Sequence, residues 1–245
     1  MLIVGLTGGI ASGKSTVSRR LKEHYKITVI DADQIARDIV MPGESAYKKI
    51  VEHFQENIPD LLLNDKQLNR AALGQWVFGN ADELKVLNGI THPSIRLQIF
   101  KSILLCYLKG YKMCVLDVPL LFEANLDAFC GITISVICTS ELQIERLQSR
   151  NPGLSIEEVH NRLNSQMSLE DRIARSDYIL ENNASLAALY DQIDLLVTKI
   201  TPTSMRTVLE YIPPLAFISA AATVCSKKIT IGWRESHKPP QAKLK

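Results

Sequence analysis

The sequence has no C-x-x-C pair and no cysteine or histidine spacing suited to a metal. Its five cysteines, at 106, 114, 130, 138 and 225, are scattered, and four lie in apolar runs. That excludes a cysteine-based redox pair or metal knuckle. It fits small buried hydrophobes in a reducing compartment. Charge of one sign is also lacking: 28 Lys and Arg stand against 26 Asp and Glu, a net +2. No nucleic-acid partner is expected from such a balance, and any cationic chemistry must be local. No basic flank precedes an apolar region at the start, so no secretory signal is expected. The most apolar late stretch, residues 212–225, falls short of the about 20 residues that span a bilayer. There is no internal repeat and no low-complexity tract before the C-terminal tail. An Asn-Lys-x-Asp segment that reads guanine is missing, which argues against a GTPase switch. The Leu-Ser-Gly-Gly-Gln signature of a transporter ATPase is missing too.

What is present is one stretch, Gly8-Gly9-Ile10-Ala11-Ser12-Gly13-Lys14-Ser15. An apolar run, residues 2–6, precedes it. A helical pattern, residues 14–24, follows. Strand, glycine-rich loop and helix is the context a phosphate-binding loop requires. Glycines let the backbone curl so that successive N–H groups face one concavity. The helix start adds its unpaired N–H groups and the positive end of its dipole. Lys14 is placed to reach the outer phosphates, and the Ser15 hydroxyl to ligate Mg²⁺. Thr16 continues the same helical turn. By average composition the pattern arises by chance in roughly one chain of this length in a hundred, so a nucleoside-triphosphate site is expected.

A second strand, residues 27–30, ends at Asp31-Ala32-Asp33. If the extended conformation persists, both carboxylates project on one side. They would then sit at the carboxyl edge of a parallel sheet, where ligands bind in open α/β folds. One of them can cap the next helix, residues 34–40, while the other does chemistry. The stretch 44–109 reads as mostly helical, with turns near Ile58-Pro59 and Gly79-Asn80. It is far longer than the dozen or so residues a parallel crossover needs, so a helical insertion on the acceptor side, about 41–110, is expected. Within it Thr91-His92-Pro93 is read as the start of a long helix whose Ile95, Ile99 and Ile103 face the core. From spacing alone, His92 either helps that start or touches substrate.

Residues 113–118 form an apolar strand interrupted by Asp117, a carboxylate well placed for a Mg²⁺ water. Pro119-Leu120-Leu121-Phe122-Glu123 follows. After another strand, 132–138, a helix carries Arg146 and Arg150 on one face. Arg162, Arg172 and Arg175 come later. The region 140–175 is where P-loop kinases place a lid, and arginines there supply charge to a transferring phosphoryl group and exclude water. A fifth short strand, 177–180, and a last periodic helix, 186–200, complete an α/β three-layer P-loop fold with a five-stranded parallel sheet. Residues 201–245 read as a tail. A disordered segment, an interfacial membrane anchor beside Lys227 and Lys228, and a partner-docking segment all remain open.

Taken in order, these residues carry a resemblance. The phosphate loop, Asp31-Ala32-Asp33-Gln34-Ile35-Ala36-Arg37, Ile90-Thr91-His92-Pro93 and Asp117-Val118-Pro119-Leu120-Leu121-Phe122-Glu123 are followed by Arg146 to Arg150, the 162–167 stretch and Asp177-Tyr178-Ile179 before Asn182. Over residues 1–200 this set resembles the dephospho-coenzyme A kinases, and the fungal members most. It departs from the bacterial pattern at Asn182-Asn183-Ala184. The resemblance implies phosphorylation of the ribose 3′-hydroxyl of dephospho-CoA by ATP with Mg²⁺, the last step of coenzyme A biosynthesis. It implies Asp33, Lys14, Arg146 and Arg150 as catalytic residues. ATP would be held by residues 8–16 and Asn182, and the CoA precursor by Asp31, Arg37, His92, Pro119, Leu120, Phe122 and Glu123. Mg²⁺ would be held by Ser15 and by Asp117, directly or through water. A cytoplasmic enzyme is expected, with the tail as a contact to a CoA-biosynthetic complex or to the endoplasmic reticulum or outer mitochondrial surface. Two other readings stand beside it: a kinase of another small acceptor, and a nucleotide-binding scaffold subunit.

Overall fold

Strand β1, Leu2–Gly8, is buried from Val4 onward, so it needs neighbours on both edges and cover on both faces. A computed structural model, which describes residues 1–203 and residues 221, 222, 225, 226 and 229, supplies them. Strand β2 is Thr28–Asp31, β3 Met113–Asp117, β4 Ile132–Ile137 and β5 Tyr178–Glu181. The sheet order is β2-β3-β1-β4-β5. β1 runs parallel to β3, with Leu6 opposite Asp117, and parallel to β4, with Gly8 opposite Val136. The loop after β1 therefore leaves the centre of the sheet where chain order diverges to either side. That is the crevice in which open α/β sheets bind ligands.

The chain divides into two compact units, Met1–Val29 with Cys106–Lys245, and Ile30–Leu105. In the first, helices α1, Lys14–Glu23, and α9, Leu186–Ile200, cover one face of the sheet. Val17 and Leu21 of α1 and Leu189, Ile193 and Val197 of α9 share a core with Val4, Leu6, Ile134 and Val136. The α9 positions fall at the four-residue spacing of one helical face. Arg20 of α1, and Tyr25 just after that helix, fasten this part of the chain to α9 through Asp194. The tyrosine hydroxyl donates to the carboxylate at 2.6 Å and Arg20 approaches at 3.3 Å. That hydroxyl bond, helped by Arg20, holds the Asp194 carboxyl below its ordinary range.

In the second unit, α2, Ala32–Asp38, α3, Ser45–Phe54, α4, Arg70–Phe78, and most of α5, Ala81–Leu108, build the helical stretch. Its core is Ile50, Phe54, Ile58, Leu61, Leu68, Leu73 and Val77. One antiparallel bridge, Leu62 to Leu68, interrupts the helices. Back in the first unit, α6, Ser140–Arg150, α7, Ile156–Asn164, and α8, Leu169–Arg175, follow β4. A capping box of Ser155 and Glu158 starts α7, and those hydrogen bonds push the Glu158 carboxyl down.

Several boundaries differ from the sequence reading. β1 reaches Gly8, two residues beyond the apolar run, because Thr7 and Gly8 still pair with β4. α2 starts at Ala32, since the Asp31 side chain caps it. α5 does not begin at Thr91: it runs through Pro93 from Ala81. Pro93 has no N–H to offer Gly89. On either side of it, the Thr91 hydroxyl donates to the Leu87 carbonyl at 2.9 Å and the Ser94 hydroxyl to that of Ile90 at 3.1 Å, each one turn back. Ile99 is buried as expected, while Ile95 and Ile103 are half-buried. Cys106, Cys114, Cys130 and Cys138 are buried and form no disulfide among the described residues. Burial pushes the Cys114 thiol up to about 12. Of the tail, nearly all of 204–245 lies outside the described residues, and with it the expectations placed there. Among the described residues, no helix is long and apolar enough to cross a membrane.

Candidate active site

The site is built on the loop 8–15. Gly13 takes φ +96° at the start of α1, a left-handed conformation that favours glycine. It also lies against Asn182, whose amide nitrogen a Cβ would overlap. Asn182 Nδ2 donates to the Ser12 carbonyl at 2.8 Å. Asn182, expected at the nucleotide, thus acts on the loop itself. Ser12 is 1% exposed, and its hydroxyl oxygen has no hydrogen-bond partner among the described residues. An orphaned buried hydroxyl inside a curled loop is a donor suited to a phosphate oxygen.

Lys14, first residue of α1, donates to Asp117 Oδ1 at 2.5 Å. The two side chains are 17% and 4% exposed. β1 and β3 lie in register with Leu6 opposite Asp117, so the end of β3 and the loop after β1 leave the sheet side by side. Ser15, one residue on, is exposed. A serine hydroxyl and a carboxylate are hard oxygen donors of the kind Mg²⁺ takes, with phosphate and water completing its shell. No cluster of three His, Cys, Asp or Glu suited to a metal occurs among the described residues. The donors present fit an ion shared with a nucleotide rather than one caged by protein alone.

The carboxylate pair Asp31 and Asp33 is resolved by its hydrogen bonds. Asp31 Oδ1 accepts from the Asp33 and Gln34 amides at 2.9 and 3.0 Å. Asp31 is the helix cap. Because the chain turns helical at Ala32, the two carboxylates do not share the face of an extended strand. The exposed Asp33 carboxylate has no partner among the described residues. In the same unit Arg37 is exposed, and its carbonyl accepts from Arg70 at 3.2 Å. His92 is exposed midway along α5.

The segment after β3 divides in two. The Pro119 carbonyl accepts from the buried Thr7 hydroxyl at 2.7 Å, and Leu120 is 45% exposed. Phe122, expected at the substrate, is 1% exposed and lies under the Arg175 guanidinium at 5.3 Å, so its ring serves the core. Glu123 accepts from the Met167 amide at 3.3 Å and approaches Arg172 at 4.0 Å.

The arginines also divide. Arg146 donates to the Asn182 carbonyl at 3.0 Å, and its Nη1 is buried with no hydrogen-bond partner among the described residues. Arg150 and Arg162 are exposed. Arg172 is only 3% exposed and belongs to the interior, where burial lowers its pKa against the pull of Glu123. Two residues escaped the sequence reading. Gln143 donates to the Ile10 carbonyl at 2.7 Å, and Gln166 accepts from the Ile10 amide at 2.9 Å. Gln143 carried a signal, since it precedes Arg146 by three and Arg150 by seven residues on one helical face. Gln166 lies in the 162–167 stretch that carries the resemblance, but nothing there gave it a role of its own.

The family model for dephospho-CoA kinase matches residues 2–188. Dephospho-CoA kinase CAB5 of Saccharomyces cerevisiae is 63% identical over 227 residues, which cover 93% of this chain and 94% of that protein. A dephospho-CoA kinase of Carboxydothermus hydrogenoformans is 45% identical over 80% of this chain and 93% of its own length. Among solved structures, the dephospho-CoA kinase from Campylobacter jejuni superposes with a TM-score of 0.64 at 28% identity, covering 81% of this chain and 96% of that one. The chain belongs to the dephospho-CoA kinase family.

Proposed function

We propose that the chain transfers the γ-phosphoryl group of ATP to the ribose 3′-hydroxyl of dephospho-CoA, giving CoA and ADP, the last step of coenzyme A biosynthesis. The observation that carries this reading is a likeness that takes in nucleotide side and helical unit together, covering 94% of the yeast kinase. In the step, the acceptor oxygen forms a bond to the γ-phosphorus while the bond from phosphorus to the β–γ bridging oxygen breaks. The proton of the hydroxyl passes to Asp33, whose carboxylate needs only to orient and accept. Lys14 exchanges its carboxylate partner for phosphate oxygens, and Arg146 and Arg150 add positive charge to the transferred group. Asp31, Arg37, His92 and the exposed Leu120 edge belong to the acceptor side in this reading. Ser15 and Asp117 would hold Mg²⁺, which when bound supplies further charge neutralisation to the phosphates.

ADP release by the purified chain tests the reading, with ATP and Mg²⁺ and with dephospho-CoA, AMP, adenosine or shikimate as acceptor. Turnover with dephospho-CoA alone is expected. Preference for another acceptor would keep the fold and overturn the substrate. ATP binding without turnover would favour a scaffold subunit.

We place the activity in the cytoplasm, with residues 201–245 as an attachment to a membrane surface or a biosynthetic assembly. The basic residues 227 and 228 beside an apolar stretch support this. Deletion of 206–245 is expected to leave turnover within about twofold, as for an appended segment, and to shift the protein out of the membrane fraction. An unchanged distribution would remove the anchor.

A further inference from the structure

The middle of the phosphate loop is held from outside. The Ile10 N–H donates to Gln166 Oε1 at 2.9 Å, and the Ile10 carbonyl accepts from Gln143 Nε2 at 2.7 Å. Two carboxamides from two different elements thus close on the two faces of one residue's backbone. The Gln143 amide lies close beside the loop: a Cβ on Gly9 would lie 2.6 Å from Gln143 Nε2 and would have to displace it. The next residue, Ala11, sits at φ +59°, in the left-handed region that a residue with a Cβ adopts at a cost. An arch with a strained residue at its tip keeps its shape only where its surroundings hold it.

Both glutamines stand on parts that also carry the arginines. Gln143 shares a face of α6 with Arg146 and Arg150. Gln166 lies in the linker between α7 and α8. That linker is fixed on its far side, where the Met167 amide donates to Glu123 at 3.3 Å and the Met167 carbonyl accepts from Arg172 at 3.4 Å. The path from Glu123 through Met167 and Gln166 to Ile10 is therefore continuous. It ends on the loop that cradles phosphate.

We propose that Gln143 and Gln166 are positioning residues that together set the arch of the phosphate loop and tie it to the arginine-bearing helix. They act through Ile10 and touch no substrate. The proposal rests on the kinase reading. Its consequence is that the loop and the lid arginines respond to nucleotide as one body: removing either amide loosens the cradle for the triphosphate and leaves the acceptor unaffected.

The test uses the full chain with Gln166→Met and Gln143→Met, which keep side-chain length and remove the amide. Each variant is expected to lower kcat/KM for ATP about tenfold, the scale of a misplaced cradle, with KM for dephospho-CoA within about twofold of wild type. The double variant is expected to lose much less than the product of the single losses, because both ties act on the backbone of one residue, Ile10. ATP affinity measured without acceptor should weaken in parallel. A lowered melting temperature with unchanged ATP affinity and unchanged kcat/KM for ATP would overturn the proposal, since a merely structural role gives that pattern. Should one variant fail to fold, the other carries the same comparison. If wild type binds ATP but does not phosphorylate dephospho-CoA, the substrate reading falls, and the affinity comparison still decides the clamp.

Discussion

Replacing Lys14 by methionine is expected to lower kcat/KM for ATP by about 10³-fold, the scale of losing a charge aimed at a developing anion. The loss should be the same at saturating dephospho-CoA, because the proposed role of Lys14 lies on the nucleotide side. The substitution also touches stability, and the two effects separate by design. Lys14 donates to Asp117 at 2.5 Å, and the Asp117 side chain is 4% exposed. Removing one partner of a buried ion pair leaves the other's charge less compensated, at a cost of about 3–5 kcal/mol where both are fully enclosed. Lys14 is 17% exposed, so water takes up part of that loss. The expected net cost is about 1–3 kcal/mol after this screening. For a chain of 245 residues that lowers the melting temperature by about 2–6 °C. Adding Asp117→Asn to Lys14→Met removes the less compensated charge and should restore much of the melting temperature. It should restore none of the rate. If Lys14→Met retained rate within about tenfold, or if the double variant recovered activity along with stability, Lys14 would be a structural partner of Asp117 and not part of phosphoryl transfer.

The phosphate loop was legible in the sequence because its chemistry restricts residue type at each position. Gly13 needs φ +96° and close contact with Asn182, Lys14 and Ser15 need their functional groups, and the flanking strand and helix announce themselves by periodicity. The central strands were legible for a similar reason, since β3 and β4 are short apolar runs buried on both faces. Where several conformations satisfied the same local pattern, the sequence did not choose among them. Thr91-His92-Pro93 suits a helix start, yet hydroxyls at 91 and 94 bond back to carbonyls one turn earlier and α5 continues through the proline. Arg172 looked like its neighbours in a basic stretch, yet it is 3% exposed, because Glu123 and the Met167 carbonyl receive it from distant or non-periodic positions. Gln143 and Gln166 show the same gap from the other side. A carboxamide is equally at home on a solvated surface, and only the folded chain brings two of them to Ile10.

Asp33→Asn isolates the chemical step, because nearly everything else about that position stays in place. The helix cap belongs to Asp31, whose carboxylate accepts from the backbone amides of residues 33 and 34, and asparagine at 33 keeps its amide. The Asp33 side chain is exposed and without a partner among the described residues, so no packing or ion pair is lost. What disappears is one negative charge in the first turn of α2, worth about 0.3–1 kcal/mol against the helix dipole. Folding and ATP affinity should therefore survive, the latter because the proposed nucleotide cradle is the loop 8–15. The transfer rate should fall by at least about 10²-fold, the general-base scale, since an amide cannot take the acceptor's proton. Asp31→Ala makes the opposite case. It removes the cap at a cost of about 1 kcal/mol, so its loss appears first in the melting curve. Single-turnover measurements at saturating ATP, beside calorimetric ATP binding, distinguish the two variants. Near-normal turnover by Asp33→Asn would take Asp33 out of the mechanism. The proton would then leave the hydroxyl without a carboxylate to receive it, and catalysis would rest on the charge gathered around the phosphates.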